Sequence, residues 1–221
     1  MTIKSLFEYQ IQNLFGGAYK YMVQRKGSLK ERQRQEREQY ILQAAEEIML
    51  EKGYHHTSMD EIADRVGIAK GTLYLHFTRK EELAYALVEP KLNMFLESVQ
   101  QARAYNGTAQ EKLIYLLEKE MSGAFFQFML RSDPDLASVF KAQQQRIDGL
   151  IAEIFGGIGK ILDEGKEAGL FDRELPNEMM AFQFINMFDP HLYLKMVEQQ
   201  QMSKETFIRH VAKVYLRGIE R

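Results

Sequence analysis

The chain has 221 residues and no cysteine, with 29 Lys or Arg against 31 Asp or Glu and a formal net charge of -2. The missing thiols exclude disulfides, thiolate metal sites and a cysteine nucleophile, and the lack of a membrane-length apolar run or a cleavable signal pattern points to a cytoplasmic protein. Charge is unevenly placed: residues 20–80 hold 12 Lys or Arg against 9 Asp or Glu, whereas residues 81–221 hold 16 against 21, the asymmetry expected of a basic front joined to an acidic body.

In chain order, Ile3, Leu6, Phe7, Ile11, Leu14 and Phe15 form an apolar stripe at helical spacing, closed by Gly16 and Gly17. It reads as a helix that packs on its own dimer, as a partly disordered segment, or as the product of a start codon set too early; its polar face has little positive charge for a membrane-surface role. Lys20, Arg25, Lys26, Lys30, Arg32, Arg34 and Arg37 follow, as a solvated leader or as a basic arm that tracks phosphates or enters the minor groove. The run EQYILQAAEEIMLEKGY predicts a helix with Ile41, Ala44, Ala45 and Ile48 on one face, stopped by Gly53. His55 and His56 lack partners at metal-ligand spacing and read as a loop. Next, Thr57 or Ser58 caps a short helix, with Asp60 or Glu61 completing a capping box in either register. That helix buries Met59, Ile62, Ala63 and Val66 and ends at Gly67, a position suited to positive φ. A second short helix, Lys70 to Phe77, buries Leu73 and Phe77 and leaves Lys70, Gly71, Thr72, Tyr74 and His76 able to approach a groove. Two short helices meeting at a Gly-containing turn, after a third, are the layout of a helix-turn-helix reader of DNA. Lys70 and Thr72 lie where side chains reach base edges, and Gly71 lets the backbone come close. Thr78 with Glu81 reads as another capping box that starts the next helix.

Ala44 and Ala45, the run GYHHTSMDEIA and the run VGIAKGTLYLHFTRKEEL resemble the N-terminal domain of the TetR family of bacterial regulators, over residues 38–87. The resemblance implies an all-α protein with an N-terminal three-helix helix-turn-helix DNA-binding domain at 37–83, an extension at 1–36, and a C-terminal helical ligand-binding and dimerisation domain at 84–221. It implies phosphate contacts from Tyr74, His76 and Lys80, which set register and affinity more than sequence preference, and Ser58 joins Lys70, Gly71 and Thr72 as a candidate DNA contact. It also implies a homodimer, joined through the last two helices of each subunit, on a double-stranded DNA operator. Ala69 departs from the pattern: many relatives have there a hydroxyl residue that caps the recognition helix.

A helix from Arg79 to Ala104 links front and body, with Leu83, Leu87, Met94 and Phe95 on its buried side and Pro90 inside it, which predicts a kink that serves as a hinge or a static bend. Thr108 and Glu111 form a capping box opening a helix that carries Leu113, Leu116, Leu117, Phe125 and Phe128. Asp133 and Pro134 begin a short helix ending near Phe140, and a long helix from Gln143 to Ala168 contains Gly149, Gly156, Gly157 and Gly159, for close packing or ligand space, before Gly169. The last helices run from Pro176 to Gln200, bent at Asp189 and Pro190, and from Lys204 to Glu220. Their stripes include Met180, Phe184, Met187 and Phe188, then Phe207, Val211, Val214 and Tyr215.

The body is rich in Phe and Met. Met121, Phe125, Phe128, Met129, Phe155, Met180, Gln183 and Phe184 are candidates to line a pocket for an apolar or aromatic effector, with Phe140, Gln127 and Asn186 also within the set, although the same residues serve equally as ordinary core. No phosphate-binding glycine loop, metal-ligand cluster or Ser/His/Asp set is present to support an enzyme or a cofactor. The expected function is a ligand-responsive transcriptional regulator, a repressor released from a palindromic operator by a small molecule. An architectural or division-control DNA-binding protein of the same fold, with no inducer, is the alternative.

Overall fold

The computed structural model describes residues 28–132 and 144–221, and the chain divides into two compact units, residues 1–41 and 42–221. The N-terminal apolar stripe, the basic residues Lys20, Arg25 and Lys26, and the helix expected from Asp133 to Phe140 lie outside the described residues. Regular structure among the described residues is helical, apart from one isolated bridge between Phe171 and Glu220.

From the first unit, residues 28–41 are described. They begin helix α1, Leu29–Lys52. Ser28 Oγ accepts the Glu31 N–H at 3.3 Å while the Glu31 carboxylate accepts the Ser28 N–H at 3.0 Å, a capping box that the sequence reading overlooked. Lys30, Arg32, Arg34 and Arg37 therefore stand exposed on a helix rather than in a leader, because Lys, Arg, Glu and Gln lose little rotamer freedom in a helix.

In the second unit, α1 continues with Ala44, Ala45, Ile48 and Met49 buried and stops at Gly53, φ 86°. Helix α2 is Met59–Val66 and α3 is Lys70–Tyr74, shorter than the expected Lys70 to Phe77, yet Leu73 and Phe77 are both buried as expected. Helix α4, Lys80–Ala104, passes through Pro90 without interruption. Lys91 Nζ and Asn93 Nδ2 donate to the carbonyls of Leu87 and Glu89 at 2.9 and 3.0 Å, adding donors in the turn where proline has none. Its buried side is Leu83, Leu87, Leu92, Phe95, Val99 and Ala102, whereas Met94, expected inside, is exposed. The expected Thr78–Glu81 capping box does not form. Thr78 donates through its N–H and hydroxyl to Glu82 instead, at 3.0 and 2.8 Å, while the Glu81 carboxylate acts on the Tyr54 hydroxyl, whose pKa is raised by burial and by that charge.

Thr108 and Glu111 do form the expected capping box at the start of α5, Ala109–Glu120. The helix was expected to continue through Phe128, but it ends at Glu120 and a separate helix, α6 (Ala124–Arg131), follows with Gly123 as its N-cap. The Glu120 carboxyl folds over that turn, so that a Cβ on Gly123 would meet Glu120 Oε2 at 2.9 Å. Helix α7, Gln144–Glu167, packs along α4 and α5, and Gly169 follows it at φ 72°. Close packing explains Gly157, where a Cβ would run into Val99 Cγ1, and Gly165, where it would run into the Phe171 ring; Gly149, Gly156 and Gly159 have no such neighbour within 4 Å.

The expected long bent helix from Pro176 to Gln200 is instead three pieces: α8, Asn177–Asn186; α9, Pro190–Tyr193; and a π-helical turn, Leu194–Gln199. Asp189 causes more than a bend, since its Oδ1 accepts the N–H groups of His191 and Leu192 at 2.7 and 3.2 Å and starts a new helix. Ser203 caps the last helix, α10, Lys204–Ile219. Buried Tyr215 on α10 donates to the Met180 carbonyl on α8 at 2.9 Å, and the Asp172 N–H reaches the Ile219 carbonyl at 2.8 Å.

Candidate nucleic-acid interface and body pocket

The helix-turn-helix segment is built by one cap, one glycine and two buried anchors. Ser58 Oγ accepts the Glu61 N–H at 3.2 Å and starts α2, while Thr57, the other candidate, is buried and donates to the Gly53 carbonyl at 2.8 Å. Gly67, at φ 74° and ψ 34°, turns the chain, and the Ile68 N–H closes the motif on the Ala63 carbonyl at 3.0 Å. Ala69 precedes α3 without any side-chain cap. Leu73, with no exposed surface, fixes the rotation of α3 against α2. This leaves Lys70, Gly71 and Tyr74 on the exposed side, with Thr72 and His76 half-buried at its margins. Lys70 is ion-paired with Asp60 across the turn, which raises its pKa. Around Gly71 no heavy atom lies within 4 Å of where a Cβ would stand, and its φ is not positive. The fold itself therefore does not require glycine there. Leu75, 79 % exposed, was not anticipated; the signal was available, since it lies two residues from each of the buried anchors Leu73 and Phe77 and so on the opposite side.

Lys80 is turned inward. Its Nζ donates to the carbonyls of Tyr54, His55 and Thr57 at 2.8, 3.4 and 2.9 Å and lies 4.3 Å from the centre of the Tyr54 ring. Burial lowers the pKa of Lys80, and burial with the Glu81 carboxylate pushes the Tyr54 hydroxyl up to about 12. This side chain, expected at a phosphate, ties the start of α4 to the loop between α1 and α2. His55 and His56 are exposed in that loop, and the described residues contain no group of three or more His, Asp or Glu placed to hold a metal ion.

In the body, Phe95, Phe125, Phe126, Phe184, Phe188 and Tyr193 form a linked aromatic cluster with ring centres 5.3–6.2 Å apart. Of the eight effector candidates, Met121, Phe128, Met180 and Phe184 are buried, Phe125, Met129 and Phe155 are half-buried and Gln183 is exposed. A groove of about 580 Å³ opens along α8 and α10, lined by Met179, Met180, Gln183, Met187, Met196 and Val214 among others. Only Met180 and Gln183 of the eight reach it. Met179 and Val214 in its wall expose 56 % and 75 % of their surface, and Phe182 of α8 exposes 56 %. No helix of the described residues is long and apolar enough to cross a membrane.

Residues 41–87, which span this helix-turn-helix segment, match the family model described as bacterial regulatory proteins, tetR family. The fatty acid metabolism regulator protein of Bacillus subtilis is 31% identical over 146 residues, which cover 62% of this chain and 72% of that protein. The chain belongs to the TetR family. It is a DNA-binding transcriptional regulator with an N-terminal helix-turn-helix unit and a helical body. The transcriptional activator FasR of Mycolicibacterium smegmatis is 34% identical over 108 residues, 49% of this chain and 47% of that one. Among solved structures, the TetR-family regulator PfmR of Thermus thermophilus superposes with a TM-score of 0.64 at 26% identity, covering 82% of this chain and 99% of that one. A Bacillus subtilis FadR solved in complex with stearoyl-CoA shares the fold, with a TM-score of 0.60 at 24% identity over 82% of this chain and 99% of that one.

Proposed function

We propose that this TetR-family chain is a cytoplasmic homodimeric repressor that holds a partly palindromic operator with one helix-turn-helix unit per half-site, and that a long-chain fatty acyl thioester releases it. Residues 37–83 then read DNA, and residues 84–221 hold the effector and the second subunit. The observation that carries this reading is the exposed edge of α3: Lys70, Gly71 and Tyr74 face outward, and glycine at position 71 has no internal packing reason. Thr72 and Leu75 flank that edge, one able to hydrogen-bond a base edge and the other to touch a thymine methyl group. Ser58 and His76 lie near enough to the turn to complete the contact set with phosphates.

The exposed Met179, Phe182 and Val214 on α8 and α10 support dimerisation through these helices, since a second copy brings the same apolar face. Two named relatives support the effector class: the fatty acid metabolism regulator at 31% identity and the FadR that was solved with stearoyl-CoA. The aromatic and methionine-rich body suits a hydrocarbon chain.

The test is selection of bound duplexes from a random pool by the purified full chain at moderate salt, followed by titration of stearoyl-CoA against the selected complex. A single motif with half-sites about 10 base pairs apart is expected, with affinity falling steeply as salt rises and release by stearoyl-CoA but not by coenzyme A alone. By linkage, the operator weakens stearoyl-CoA binding by the same factor. Enrichment of no motif would overturn the site-specific reading, and a motif that stearoyl-CoA leaves bound would overturn the effector class. Because the mycobacterial relative is named an activator, a reporter placed behind the selected motif decides the sign: it falls silent with a repressor and rises with an activator.

A further inference from the structure

We propose that Lys91 is a positioning residue for DNA reading: it holds the C-terminal half of α1 to α4 and places that hold against Phe128, so that the body sets where the DNA-reading helices stand. This rests on the reading of α2 and α3 as a DNA reader. Lys91 Nζ is 3.1 Å from Glu46 Oε1, donates to the Leu87 carbonyl at 2.9 Å, and lies 4.6 Å from the centre of the Phe128 ring. The two charged side chains are only 14% and 16% exposed, so water screens the pair poorly and separating it strands a desolvated charge. The neighbouring acids of α1 look elsewhere. Glu47 and Glu51 are paired with Arg65 of α2, and Lys52 of α1 is paired with Glu61 of α2. One side of α1 is thus bound to its helix-turn-helix partner, and Glu46 is bound to α4.

Phe128 brings the body into this contact. Its ring is buried and presents to Lys91 the face that attracts a cation. Phe125, one turn earlier on α6, touches Phe95 of α4 with ring centres 6.0 Å apart. An apolar molecule that enters between α4 and α6 has to move Phe125 and Phe128 together, which takes the ring away from Lys91 and alters its hold on Glu46. Pro90 precedes Lys91 and removes one main-chain bond from α4 at this level. The Lys91 side chain supplies a donor in that same turn, so the contact also supports α4 itself.

The experiment uses the full chain and the variants Lys91→Met, Glu46→Gln, the double variant, Lys91→Arg and Phe128→Leu, each first checked for an unchanged helical spectrum. Amide exchange over residues 44–52 is measured without DNA, and affinity is measured on the selected operator and on copies with one base pair added to or removed from the spacer. Lys91→Met and Glu46→Gln each raise exchange in that segment about tenfold, with α5 and α7 unchanged, and flatten the spacer preference about tenfold. The double variant is no worse than either single one, because the two side chains act as one unit. Lys91→Arg restores both readouts, and Phe128→Leu gives a partial loss. Unchanged exchange with unchanged spacer preference, or additive losses in the double variant, would overturn the proposal. A parent chain that selects no paired half-sites overturns the DNA reading instead, and the exchange measurement then still decides whether Lys91 holds α1.

Discussion

Glu120 is nearly fully buried, and burial, opposed by a hydrogen bond from Ser98 and by the Lys119 charge, raises its pKa from 4.5 to about 7. A carboxyl raised in this way keeps its proton in the folded chain at pH values where the unfolded chain has lost it, so the folded state binds more protons between about pH 4.5 and 7. Stability therefore falls as pH rises through that window, by about 3 kcal/mol once the group is fully ionised. Glu120→Gln should flatten this slope and raise the unfolding free energy at pH 8 while leaving it little changed at pH 5, as denaturant titrations at the two pH values would show. A variant with the parent slope would mean that another group carries it. Two adjacent glycines of α7 give a second contrast. Gly156 has open space around it and Gly157 faces Val99, so Gly156→Ala should stabilise by roughly 1 kcal/mol and Gly157→Ala should destabilise by roughly 1–3 kcal/mol. Equal midpoints in thermal unfolding would contradict the packing described.

Among the elements, the helix-turn-helix segment contains a second pair of unlike glycines. Gly67 has a positive φ with nothing within 4 Å, whereas Gly71 has ordinary backbone and equal space. Gly67→Ala should cost roughly 1–2 kcal/mol of stability through backbone strain alone, and Gly71→Ala should leave stability equal or up to about 1 kcal/mol higher while weakening DNA binding, measured by fluorescence anisotropy. Elements whose ends are written locally were legible in the sequence: the Ser58 cap, Gly67, the Thr108–Glu111 box and the stops at Gly53 and Gly169 all fall as read. Misreadings arose where a distant partner decided the matter. Thr78 bonds Glu82 while Glu81 acts on Tyr54 from outside the local sequence, and the Glu120 carboxyl over Gly123 divides what periodicity presents as one helix. Asp189 misled differently, because Asp-Pro was read as a bend although the same pair starts a helix.

For the whole molecule, the exposed apolar face of α8 and α10 carries the proposed assembly. Phe182→Glu with Val214→Glu should turn the dimer into a monomer, as light scattering would record, and should weaken operator binding at least tenfold by removing the second half-site. A dimer that survives both changes would place the interface elsewhere. The DNA-reading segment was legible because its residues are neighbours in sequence. The effector candidates carry no such local signal, because Phe and Met at helical spacing look alike whether they fill a core or line a cavity.

The close approach of Gly157 to Val99 also gives α4 a fulcrum. Phe95 is four residues from it and Lys80 nineteen, or about 6 Å and about 28 Å along the helix axis. Were α4 to turn as a rigid rod about that contact, the end at Lys80 would travel nearly five times as far as Phe95.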